Sequence, residues 1–330
     1  EGVMMRSPNS FVVACRRPDG HIVVREQRWH SLWNRFKFLK WPLLRGGVVL
    51  LEAMVNGMSA LTFSANQQEE GEAEGEPGQG GEGAGKEPEA MSPAAMTGMV
   101  VVSVAMAMAL FVGLPHLLTW LVGLDTDSIA FHLVDGMFKV IILVGYIGII
   151  GLNKEIRRVF MYHGSEHKTI WAHERGLPLT VENVRAQSRF HPRCGTSFLV
   201  VVILVSIFMF AGLLQYPLSE SKILDHLLKI VIKIPLMFPV AGLAYEGIKL
   251  SGKFRDNPLV KVLITPGMWL QHLTTREPED DQLEIAIISL RKTLWREGVG
   301  DEVGGERGVE VFKDFSEAMP AIEGYEPGQA

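Results

Sequence analysis

Apolar and polar positions are spread very unevenly along this chain, and the unevenness predicts its elements. Residues 10–28 read SFVVACRRPDGHIVVREQR, two β-branched runs on either side of Pro18-Asp19-Gly20. Turn chemistry between such runs predicts a β-hairpin. In the following WHSLWNRFKFLKW, aromatics are interleaved with Arg35, Lys37 and Lys40, a mixture suited to a membrane interface. An amphipathic packing segment is the plainer alternative. Residues 42–66 make a long apolar helix candidate carrying Arg45 and Glu52, charges that favour a re-entrant, interfacial or buried helix over a simple span.

Four further apolar stretches follow, at about 97–122, 129–151, 196–216 and 227–249, each near the length a bilayer requires. Before them, residues 67–92 are a Glu/Gly-rich run with almost no apolar content, expected to be a disordered linker. After them, Pro278, Glu279, Asp280 and Asp281 form the acidic first turn of a helix, with Leu283, Ile287, Leu290 and Leu294 as its apolar stripe. The last residues, 300–330, read as a flexible acidic tail. The fold class expected is mainly α. It is a polytopic helical membrane protein with about four spans (the membrane domain being 93–299), a small N-terminal β-hairpin and a His-rich loop over 152–194. Hairpin, loop and C-terminal helix are expected to pack together.

Charge orients the spans. Loop 152–194 holds Lys154, Arg157, Arg158, Lys168, Arg175, Arg185, Arg189 and Arg193, whereas the connections GLDTDS and PLSESKILD hold only Lys222. The excess of basic residues predicts that this loop and both termini are cytoplasmic. Net charge is −5 over 330 residues, much of it in the linker and tail, so nothing indicates a nucleic-acid partner. Partners expected are the lipid bilayer and a membrane protein or a second copy of the chain. Two cysteines, Cys15 and Cys194, need no disulfide framework. No signal-peptide pattern opens the chain, and its start at Glu1 without Met suggests a truncated beginning.

Candidate chemistry concentrates in the loop, in FMYHGSEHKTIWAHERG. His163 and His167 are four apart and share a helix face, so both imidazoles can meet one ion, zinc or another divalent metal. Glu166 flanks that face as the catalytic base for a metal-bound water. This H-x-x-E-H spacing is that of inverted zincins, although five residues with three fixed recur by chance. His191 and Cys194 are further ligand candidates, and all four together would make a closed, structural site, whereas catalysis needs an open position. Glu174, about 10 Å beyond His167 by helix rise, is too far to ligate the same ion. Glu246, toward the cytoplasmic end of the fourth span, is a further metal candidate. The alternative is that these histidines bond only to the chain or to lipid headgroups.

Within the spans, Asp135 and Lys139 sit four apart and are expected to pair internally. Lys229 and Lys233 lie near the outer end of the fourth span, where snorkelling accounts for Lys229 better than for Lys233. The stretches EGVMMRSP (1–8), RGGVVLLEAMVNGMSALTFSAN (45–66), YHGSEHKTIWAHE (162–174), ENVRAQSRFHPRCGTSF (182–198) and LTTREPEDDQLEIAI (273–287) resemble the YqhQ-like family of bacterial membrane proteins. That resemblance implies a domain of unknown function, often labelled a predicted metal-dependent enzyme. The expectation is therefore a metal-dependent, zinc-type hydrolase on the cytoplasmic face. Its rivals are a non-enzymatic scaffold or assembly factor with a structural metal, and a transporter using Asp135, Lys139 and Glu246.

Overall fold

The computed structural model describes residues 2–7, 10–29, 36–41, 44–75, 93–192, 194–253, 257–299 and 308–322. Strands β1 (Gly2–Arg6), β2 (Ser10–Arg16), β3 (Ile22–Arg28) and β4 (Gly308–Phe312) form one antiparallel sheet in the order β1-β2-β3-β4. The expected hairpin is β2–β3. Its turn is closed by Arg17 N donating to His21 O at 2.8 Å, and Gly20 takes φ 93°, which glycine adopts without a Cβ penalty. The sheet is larger than the hairpin alone because both ends of the chain add a strand. In particular, β4 comes from the segment expected to be a flexible tail, which also carries a short helix, Phe315–Ala321.

The helices in chain order are α1 (Leu44–Gly75), α2 (Pro93–Met108), α3 (Leu114–Leu121), α4 (Ile129–Ile150), α5 (Lys154–Glu174), α6 (Val181–Arg185), α7 (Gly195–Leu213), α8 (Lys222–Lys253), α9 (Pro258–Thr274), α10 (Asp280–Val299) and α11 (Phe315–Ala321). A π turn over Ala109–Gly113 joins α2 to α3. Among the described residues, five stretches are long and apolar enough to cross a membrane: Leu44–Gln68, Val101–Leu121, Ile129–Ile150, Gly195–Leu213 and Lys222–Leu250. The last four are the stretches expected from the sequence. The first is α1, which runs to Gly75 and so turns the start of the expected linker, 67–75, into helix. The rest of that linker, 76–92, lies outside the described residues, as do residues 30–35 of the aromatic-basic segment. At the end of that segment Phe36, Phe38 and Trp41 are exposed.

Strand β2 is buried on both faces, so its apolar run is nearly continuous. On one face Val12 and Ala14 join Leu283, Ile287 and Leu290 of α10 and Tyr162 and Ala172 of α5 in a single core. On the other, Phe11 and Val13 pack on Ala60 of α1, with Phe63 alongside. Hairpin, His-rich segment and C-terminal helix thus form one body, as expected. Helix α1 is tied along this body: Arg6 pairs with Glu52 at 2.8 Å, Arg25 bonds Ser59 Oγ at 3.0 Å, and Arg17 Nε donates to Gln67 Oε1 at 2.9 Å. Leu50, Leu51, Met54, Val55, Met58 and Leu61 form its outward apolar stripe.

At the other end of the membrane-type helices, Lys229 and Lys233 do not snorkel. Both are buried, because Asp225 lies 3.0 Å from Lys229 and Asp135 lies 3.3 Å from Lys233. The expected Asp135–Lys139 pair is present at 2.7 Å.

Candidate functional site

Helix α5 starts at Asn153, whose side chain accepts from Glu155 N at 2.8 Å. It stops where Gly176 takes φ 66°, with Leu177 N bonded back to Ala172 O at 2.9 Å. Two faces divide its residues. Tyr162, Ser165, Thr169 and Ala172 are buried toward the sheet and α10. His163, Glu166, His167, Ile170 and Glu174 recur at helical spacing on the other face and line a cavity of about 210 Å³ with His191, Cys194 and Gly195.

The segment after α9 crosses close over this helix. Arg276 N donates to Phe160 O at 2.8 Å, and a Cβ on Gly164 would come within 2.2 Å of Arg276 O. The glycine inside HGSEH, unfavourable for the helix alone, is the residue that admits this crossing. The crossing brings the Thr274 carbonyl to His163 Nδ1 at 2.8 Å. Likewise the Arg189 carbonyl sits 2.6 Å from His167 Nδ1. A carbonyl only accepts, so both rings carry their proton on Nδ1 and have Nε2 as the acceptor nitrogen. This is how imidazoles that ligate metals are oriented.

Cys194 caps the N-terminus of α7 and places Sγ 3.2 Å from His163 Nε2. Ligand atoms of His163, His167 and Cys194 all lie within 4.8 Å of one another. Two imidazole nitrogens and one sulfur make a donor set of borderline softness, suited to zinc, and Cys194 and His167 are buried. Glu166 is half-buried on the same cavity. Burial pushes its carboxyl above the ordinary glutamate range, against the opposing pull of His163. A second cavity, of about 350 Å³, reaches His163 and Glu166 from the other side, along Val3 and Met4 of β1 and Gly57, Ala60 and Leu61 of α1.

Two other expected ligands have partners outside the trio. His191 lies beside the trio, not in it: its Nε2 is 3.4 Å from Glu174 Oε1, and its backbone is gripped on both sides by Gln271, at 2.8 Å to N and 2.8 Å to O. Glu174, set aside on distance, lines the same cavity and meets His191 there. Glu246 is ion-paired to Arg45 and does not line the cavity. The pairing follows from the approach of α1 to α8, where a Cβ on Gly46 would sit 2.6 Å from Tyr245 Cβ. Sequence reasoning missed the carbonyls of Thr274 and Arg189 and the amide of Gln271. Backbone carbonyls leave no residue-type signal, and Gln271 follows Trp269 in an otherwise apolar run.

Helices fit to span a membrane and a His/Cys cluster at one end of them define the class: a helical membrane-type protein with a candidate metal centre. The chain belongs to the family described as "Protein of unknown function (DUF1385)", whose model matches residues 41–296. It is also 36% identical over 308 residues to "Uncharacterized protein YqhQ" of Bacillus subtilis (strain 168), a match covering 92% of each chain. The YqhQ-like resemblance therefore holds. No solved structure matches.

Proposed function

We propose that this chain is a multi-pass protein of the bacterial inner membrane that holds zinc or a similar divalent metal on its cytoplasmic face and uses it for hydrolysis. The observation that carries the reading is the trio itself: two imidazoles with Nδ1 committed to carbonyls, and a sulfur, converge within 4.8 Å. With His191 turned to Glu174, three protein donors remain, and three donors leave a metal an open position. Zinc bound there would supply Lewis acidity that makes water nucleophilic near neutral pH. His163, His167 and Cys194 would hold the ion, and Glu166, whose carboxyl burial raises above the ordinary range, would accept a proton from water. The cavity along α1, with its apolar side chains, supports a substrate with an apolar part.

Sidedness rests on two arguments. The basic residues of 152–194 favour the cytoplasm for the face bearing the cluster. Both chain ends pair in one sheet, so the number of crossings between them is even. Helix α1, held to the sheet from Glu52 to Gln67, is then an in-plane helix with its apolar stripe in lipid, and four helices cross.

Metal analysis of purified wild type beside Cys194→Ser and Glu166→Gln tests the reading. Expected are stoichiometric metal in wild type and Glu166→Gln and its loss in Cys194→Ser. Folded wild type purified without metal, and unable to take zinc up, would overturn it. Full cellular function in Glu166→Gln would favour a scaffold with a structural metal instead.

A further inference from the structure

The far end of the membrane-type helices, opposite the His/Cys cluster, opens in a cavity of about 660 Å³ lined by residues including Trp120, Asp125, Thr126, Asp127, Asp225 and His226. From its wall an unbroken line of polar contacts runs inward. His226 Nδ1 lies 2.9 Å from His116 Nε2, His116 Nδ1 lies 3.1 Å from Lys233 Nζ, and Lys233 Nζ lies 3.3 Å from Asp135 Oδ2, which also binds Lys139 Nζ at 2.7 Å. Three helices and three side-chain types, His, Lys and Asp, contribute. Lys233 is eleven residues into α8 and Lys139 ten into α4, so the line reaches about 15 Å down helices of that rise, near mid-span.

The line has a direction. An ammonium only donates, so His116 Nδ1 accepts from Lys233 and the ring proton must sit on Nε2, which donates to His226 Nδ1. His226 then carries its own proton on Nε2, on a ring that lines the open cavity. The groups facing Lys233 are Asp135, His132 and Lys139 of α4, His116 of α3, and Lys229 and His226 of α8. Lys229 is occupied by Asp225 at 3.0 Å and Thr126 at 2.8 Å, leaving two lysines on the single carboxylate of Asp135. With both protonated that set carries one excess positive charge, and with one proton gone it carries none. The faces of Phe210 and Phe131 shelter the ammonium of Lys233, at 5.4 and 5.7 Å. A second observation points the same way: among the described residues, Asp135 Oδ1 and both ring nitrogens of buried His132 have no hydrogen-bond partner. These are stations for a proton or a water, left open inside an apolar bundle.

We propose that His226, His116 and Lys233 form a proton relay joining the far-side cavity to the Asp135–Lys139 pair in mid-span. In the outward step the Lys233 Nζ–H bond breaks and His116 Nδ1 gains the proton. The Nε2 proton of His116 passes to His226 Nδ1, and the Nε2 proton of His226 leaves to water. One proton has moved, Lys233 is neutral, and both rings are left as the Nδ1–H tautomer; the inward step reverses each transfer. The relay is independent of the metal reading, because no residue is shared between the two.

The test uses the full chain in lipid nanodiscs with ¹⁵N-labelled histidine, ring signals being assigned with His116→Gln and His226→Gln. Wild-type His116 and His226 are both expected as Nε2–H tautomers, and Lys233→Met is expected to release His116 from that form. Exchange of the His116 ring proton with water should slow by on the order of tenfold in His226→Phe. His226→Gln, which keeps a polar group, serves as the second variant should His226→Phe not fold. Finding His116 as Nδ1–H in wild type, or unchanged exchange in both His226 variants, would overturn the relay. The tautomer measurement needs no variant beyond those used for assignment, and it does not depend on any metal.

Discussion

Histidines gather at two ends of this molecule, and what holds the second ring nitrogen differs between them. In the cluster on α5, backbone carbonyls of Thr274 and Arg189 take the Nδ1 protons, so Nε2 is the acceptor nitrogen of each ring. In the buried line, Lys233 occupies the lone pair of His116, and His116 in turn occupies that of His226. The first arrangement suits rings to act as ligands, and the second suits them to pass protons along the proposed relay. The same residue type is thus assigned its chemistry by a neighbour distant in sequence.

The largest expected effect comes from removing the one carboxylate shared by two lysines. Asp135→Leu should destabilise the protein by about 3–5 kcal/mol, as a buried charge loses its partner, and Lys139→Leu added to it should recover part of the loss. Thermal unfolding in detergent checks both, and a neutral Asp135→Leu would mean the lysines are hydrated. At the other end, Gly164→Ala forces the Arg276 segment off α5 and should cost about 1–3 kcal/mol while lowering zinc affinity. Retained affinity would show that the Thr274 carbonyl is not needed to orient His163.

Zinc at a hundredfold excess over its dissociation constant should raise wild-type stability by about 2.7 kcal/mol and leave a His163→Ala, His167→Ala double variant unmoved. Chelator should reverse the gain. A smaller effect is expected for Gln271→Ala, which frees the His191 backbone and should cost about 1–3 kcal/mol with zinc affinity nearly kept, since His191 stands outside the trio. Smallest is a labelling contrast. Burial pushes the Cys15 thiol up to about 11, so at pH 8 it should resist alkylation, and zinc protection from a thiol reagent should report on Cys194 alone.

Local chemistry was the readable part. Pro18-Asp19-Gly20 placed the β2–β3 turn, the spacing of His163 and His167 placed two imidazoles on one helix face, and four long apolar runs placed helices long enough to cross a membrane. What escaped was set by pairing over long separations. Glu246 looked like a ligand because Arg45, its actual partner, lies 201 residues earlier. The grip on the His191 backbone comes from Gln271, 80 residues on, which no local pattern connects to it. Lys233, which snorkelling accounted for poorly, has its partners Asp135 and His116 on other helices. The start of the Glu/Gly-rich run became helix where Gln67 meets Arg17. No periodicity marks β1 or β4, which are strands only because a neighbour supplies their hydrogen bonds.

That last pairing has a consequence for synthesis. Strand β3 is complete at Arg28, but its neighbour β4 ends at Phe312. At about 5–20 residues per second, the ribosome needs roughly a quarter of a minute to a minute to deliver the intervening chain. Throughout that time the hydrogen-bonding edge of β3 stands open while hydrophobic helices are being inserted beside it. An open edge is a template for another chain, so nascent copies on one polysome are exposed to pairing with each other until each receives its own last strand.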